Sequence, residues 1–109
     1  MDKIKVLLIK PKEKAKCVEI ENTLESLQST VGGYIETVYP FKDDVVLICN
    51  DEGKNLNLDL NRPLIHNGVL YDVICGDFIV AGTTVDDFAS LTEEQINKYK
   101  TYYDRYLYV

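Results

Sequence analysis

Val45-Val46-Leu47-Ile48-Cys49 leads directly into Asn50-Asp51-Glu52-Gly53-Lys54. A continuous apolar run of this length, rich in β-branched residues and closed by turn formers, reads as a central strand covered on both faces. The segment from Asp51 to Lys54 has the composition of a tight turn with a left-handed glycine. Beyond it, Asn55-Leu56-Asn57-Leu58-Asp59-Leu60-Asn61 alternates and, if extended, presents Leu56, Leu58 and Leu60 on one side.

Upstream of this strand, Tyr34 to Tyr39 alternates and ends at Pro40, so it is expected to pair with the central strand across the turn from Pro40 to Asp43. Ile4 to Ile9 and Ala15 to Ile20 form an opening hairpin with its loop near Pro11. Asn22-Thr23-Leu24-Glu25 has the form of a capping box with Asn22 as N-cap, and it starts a short helix stopped by Gly32-Gly33. Leu24, Leu27, Gln28 and Val31 share one face of that helix.

Downstream, Arg62-Pro63 is expected to halt regular pairing, and Asn67-Gly68 is a strong turn signal. Leu70 to Cys75 and Phe78 to Ala81 read as strands around Gly76-Asp77, and Gly82-Thr83-Thr84 marks a loop. Thr92-Glu93-Glu94-Gln95 is a second capping box, with Leu91 and Ile96 in the staple positions and acids in the first turn. The expected fold is α+β: a mostly antiparallel sheet of about five to seven strands, a short helix near 22–31 and a C-terminal helix near 92–106. A single domain is expected over residues 1–109, since a 109-residue chain with a 46% hydrophobic share supplies one core.

Charge narrows the partners. Residues 1–16 carry a balance of +4, residues 17–109 one of −10, and the whole chain −6. An acidic surface disfavours direct nucleic-acid binding except through the N-terminal lysines, which read instead as decoration of an edge strand and its loop. No run has the length of a membrane span or the form of a secretory signal, so a cytoplasmic protein with no membrane partner is expected. Cys17, Cys49 and Cys75 show no C-x-x-C spacing and read as small buried hydrophobes.

Catalytic motifs are missing from the pattern. His66 is the one histidine and lies in a turn, and no metalloprotease helix, phosphate loop or nucleophile elbow occurs. The acid pairs Asp43-Asp44, Asp51-Glu52 and Asp86-Asp87 match no calcium loop and read as solvated turns. The chain therefore reads as non-enzymatic, with no catalytic residue, metal site or cofactor. Ile96, Tyr99, Tyr103 and Tyr106 recur at helical spacing, and such tyrosines pack their rings on a sheet more readily than they stack on a nucleobase.

The candidate binding residues are Tyr34, Asn50, Glu52, Lys54, Asn61 and Arg62. Lys54 and Arg62 suit a phosphate, Asn50, Asn61 and Glu52 suit the edge of a base or sugar, and Tyr34 suits stacking. The same residues also suit a salt-bridged, amide-capped turn, and both readings stand at this point.

The ordered series Thr23 to Gln28, Val31-Gly32-Gly33-Tyr34-Ile35-Glu36, Cys49 to Lys54, Leu60-Asn61-Arg62, Asp72 to Gly76 and Phe78-Ile79-Val80 with Gly82 resembles a family of unknown function. Its members are small proteins or domains encoded by bacteriophages, plasmids and conjugative elements, mainly of Firmicutes and Actinobacteria. The resemblance implies an accessory protein of a mobile element in the cytoplasm of a bacterial host. On that basis the leading expectation is counteraction of host defence by capture of a small anionic, nucleotide-like ligand. The alternative is an acidic protein-protein inhibitor or nucleic-acid-mimic decoy of a host protein; the expected partner is a small anionic ligand or a host defence protein, and a homodimer is compatible with either.

Overall fold

In the computed structural model, which describes residues 2–107, the chain runs β1 (Lys3–Ile9), β2 (Lys16–Glu21), α1 (Leu24–Val31), β3 (Ile35–Val38), β4 (Val45–Asn50), β5 (Leu60–His66), β6 (Val69–Cys75), β7 (Phe78–Thr83), β8 (Phe88–Ala89) and α2 (Glu93–Asp104). The fold is α+β, as its pattern predicts. Six strands form one antiparallel sheet in the order β2-β1-β7-β4-β3, with β8 on the end of β7, and β5 and β6 form a separate hairpin. Every residue of β4 is buried, because the sheet is covered on both faces.

The odd residues of β4 face one cluster and the even residues another. Val45, Leu47 and Cys49 meet Leu7, Ile9, Phe78 and Val80 under α2 and the hairpin residues Leu64 and Ile74. Val46 and Ile48 meet Ile4, Val6, Ile79 and Ala81 under Leu27 and Val31 of α1. This two-sided burial is the reason β4 lacks the polar alternation of a half-exposed strand.

Helix α2 starts as expected: Thr92 Oγ1 accepts from Gln95 N–H and the Gln95 side chain accepts from Thr92 N–H, a complete capping box. Its buried face carries Ile96, Tyr99 and Tyr103, and the Tyr103 ring stands edge-on to Phe78 at 5.5 Å. Tyr99 and Tyr103 are thus core, whereas Tyr106 lies past the end of α2 and is half-buried. The Tyr99 hydroxyl donates to Asp43 at 2.7 Å.

Several local expectations change. The N-cap of α1 is Thr23, whose hydroxyl accepts from Ser26 N–H; Asn22 instead donates to Asp87 and to the Phe88 carbonyl, joining β2 to β8. Leu24 is exposed, since the sheet reaches only the Leu27 and Val31 side of this short helix. Gly53 does not take the left-handed conformation, which falls on Asn57 at φ 55°. Residues 51–57 form turns rather than a strand. Pairing does not stop at Arg62-Pro63: β5 continues through them because a bulge between Leu60 and Arg62 resets the register. Cys17, on edge strand β2, is exposed while Cys49 and Cys75 are buried.

Candidate functional site

The turn after β4 is built by Asn50. Its side-chain nitrogen donates to the Val31 carbonyl at the end of α1 at 3.1 Å, and its side-chain oxygen accepts from Glu52 N–H at 2.8 Å. Both ends of the amide are therefore engaged within the fold. Gly33 leaves the space this requires, since a Cβ there would lie 2.9 Å from the Asn50 nitrogen. Gly53 serves a similar close approach, with a Cβ there falling 2.7 Å from the Cys75 carbonyl oxygen.

Asn61 and Arg62 lie inside the molecule. Asn61 donates to the Ile9 carbonyl at 2.9 Å and to the Gly76 carbonyl at 2.8 Å. Arg62 is fully buried at 0% exposure. Its guanidinium donates to Tyr103 O at 2.9 Å, Glu13 O at 2.5 Å, Asn61 Oδ1 at 2.8 Å and, at 3.4 Å, Lys10 O. Burial lowers its pKa, opposed by the charge of Asp104. A planar fork with many donors suits this arrangement of carbonyls, whereas a lysine could not reach them all.

The six sequence-derived residues are thus divided. Asn50, Glu52 and Lys54 stand around one cleft of about 290 Å³, bounded by Glu36 and Val38 of β3, Cys49, the turn 50–55 and residues Asp72 to Cys75 of β6. Arg62 and Asn61 face away from it into the core. Tyr34, 70% exposed, stands at the start of β3 outside the cleft lining. Sequence reasoning missed Glu36 and Asp72 because the former reads as the polar side of an alternating strand and the latter reaches the cleft only through the β5–β6 hairpin.

The cleft is acidic. Glu36, Asp51, Glu52 and Asp72 line it with a single cation, Lys54. Lys54 is in turn hydrogen-bonded to Asp72, which raises the lysine pKa and, with a further bond from Val73 N–H, holds the Asp72 carboxyl below its usual range. Burial first, then the charges of Glu36, Asp51 and Asp72, push the Cys49 thiol up to about 11. It remains protonated at neutral pH and is no thiolate nucleophile. Among the described residues, no group of three or more His, Cys, Asp or Glu is arranged to hold a metal ion.

These features define an α+β protein with an acid-lined cleft beside β3, the last strand of its main sheet. The chain matches, over residues 4–104, the family described as Domain of unknown function (DUF3846), and it belongs to that family. No curated protein and no solved structure matches it. Among the described residues, no helix is long and apolar enough to cross a membrane.

Proposed function

We propose that this chain is a non-enzymatic accessory protein of a mobile genetic element, acting in the host cytoplasm by docking a basic face of a host defence protein. The observation that carries this reading is the cleft, where Glu36, Asp51, Glu52 and Asp72 meet one lysine already bonded to Asp72. Four carboxylates at one opening attract a cationic side chain and repel an anion, and such complementarity acts mainly on encounter rate and specificity. Phage or plasmid origin, and an anti-defence role, come from the resemblance of the sequence and form part of the proposal.

Capture of a nucleotide-like anion has less support. Arg62 lies in the core, the Asn50 amide is bonded at both ends, and an anion reaching Lys54 must displace Asp72 and approach three further acids. Calorimetric titration of the protein with a lysine-rich peptide, alongside thermal melts with cyclic and ADP-ribose-derived nucleotides, separates the two. The expected result is peptide binding that weakens with added salt and with Glu36→Gln combined with Glu52→Gln, and melts unmoved by nucleotides. A ligand that binds the folded state raises the melting point. A nucleotide-induced rise without peptide binding would overturn the proposal.

A further inference from the structure

The cleft borders an open strand edge. β3 is the last strand of the six-stranded sheet and pairs, among the described residues, on its β4 side alone. Asp51 N–H donates to Tyr34 O at 2.8 Å, which makes Tyr34 and Asp51 a hydrogen-bonded pair. Antiparallel ladders alternate, so Glu36 with Cys49 and Val38 with Leu47 are bonded pairs too. Ile35 and Thr37 then turn their N–H and C=O groups outward.

The opposite wall belongs to the separate β5–β6 hairpin. Val73 N–H on β6 is taken by Asp72 Oδ1 at 2.8 Å, and Lys54 holds the same carboxylate. The other end of the sheet, β2, carries both signs of charge, in Lys16, Glu19 and Glu21. The β3 edge combines outward backbone groups with a surround rich in carboxylates, in Glu36, Asp51 and Glu52, where the cation Lys54 is held by Asp72. Tyr34 and Tyr39, 70% and 63% exposed, bracket it.

We propose that β3 accepts an extended lysine- or arginine-bearing segment of a partner protein as an added edge strand. Its backbone bonds to Ile35 and Thr37, while side chains on the cleft side alternate with the strand period. A basic residue there falls beside Glu36, and its neighbour two positions on falls beside Val38. The bracketing tyrosines take the aliphatic stems or guanidinium planes of the flanking residues. Main-chain bonds supply affinity in this mode and the alternating side chains supply selectivity. This inference rests on the acidic docking proposed above and specifies its geometry.

The test uses a peptide of about eight residues alternating lysine and threonine, long enough for an ordinary strand, and the same peptide N-methylated on either set of alternate amides. Calorimetry gives affinities, and amide exchange reports on Ile35 and Thr37. The expected result is binding of the unmodified peptide about tenfold tighter than of its weaker N-methylated form, as one or two backbone hydrogen bonds imply, with slowed exchange at Ile35 and Thr37. Equal, salt-sensitive binding of all forms with unchanged exchange would overturn strand addition and leave acidic docking standing. No binding of any form would remove both.

Thr37→Pro adds an independent arm. Proline removes an outward N–H without touching a bond to β4, a substitution that edge strands tolerate. Peptide affinity is expected to fall about tenfold on losing this bond and gaining the ring at the edge. Unchanged affinity in folded Thr37→Pro would overturn the proposal, and if that variant does not fold, the N-methyl comparison decides.

Discussion

Asn50 joins three parts of the chain through one amide. It caps the turn by accepting from Glu52 N–H and holds the end of α1 by donating to Val31 O, and Gly33 is bare where its side chain passes. Gly33→Ala is expected to destabilise the protein by about 1–3 kcal/mol, the range for forcing extra volume into a packed site. Asn50→Ala is expected to remove part of that penalty while leaving Val31 O unbonded. Urea denaturation of both single variants and the double variant gives the coupling, and strict additivity would show that the two residues do not share this contact. The Val31-Gly32-Gly33 and Asn50 portions of the family pattern thus have a scaffold role that a list of polar residues conceals.

At the scale of elements, α2 is held to the sheet by polar contacts at its rim as well as by its tyrosine face. Asp43, in the turn before β4, accepts from Tyr99 Oη at 2.7 Å and from Gln95 at 3.3 Å, with Lys98 at 3.9 Å. The Tyr99 hydrogen bond leads the causes that place the Asp43 carboxyl below its ordinary value of 3.8. A carboxyl lowered in the folded state contributes stability that is present above the unfolded value and is lost as pH falls through the folded one. Asp43→Asn is therefore expected to flatten the loss of stability as pH falls below about 4. Urea midpoints of the parent and variant across this range check it, and parallel acid limbs would count against the contact. The capping box of α2 was readable from Thr92 and Gln95 because cap and partner are three residues apart. Asn22 shows the opposite case: its amide has a local capping option, yet two acceptors around β8 win it, and Thr23 caps the helix.

For the whole molecule, Arg62 is the central tie. Its guanidinium joins the β1–β2 loop at Lys10 and Glu13, β5 through Asn61, and the end of α2 at Tyr103. Asp104 reinforces the same junction by accepting from Ala15 N–H at 2.8 Å. Arg62→Met keeps much of the volume but strands the buried Tyr103 carbonyl and Asn61 Oδ1 and the part-buried Lys10 and Glu13 carbonyls, so a loss of about 3 kcal/mol is expected from urea denaturation. Arg62→Lys is expected to recover only part of it, because one ammonium cannot reproduce the fork. A folded Arg62→Met protein of parental stability would show that the tie does not matter to the fold.

Spacing along the chain was enough to specify the opening hairpin, the buried β4, the Asn67-Gly68 turn and the capped start of α2, since each depends on side chains a few residues apart. The same local information marked Lys54 and Arg62 as cations near one turn, and there it ended. Their environments were decided by residues distant in sequence: Asp72 holds Lys54 across 18 positions, and Tyr103 holds Arg62 across 41. Whether a charge is solvated, paired or buried depends on what the folded chain brings within a few ångströms of it. The charge balance of the cleft was therefore completed only when the β5–β6 hairpin brought Asp72 to Lys54 and Arg62 was drawn into the core.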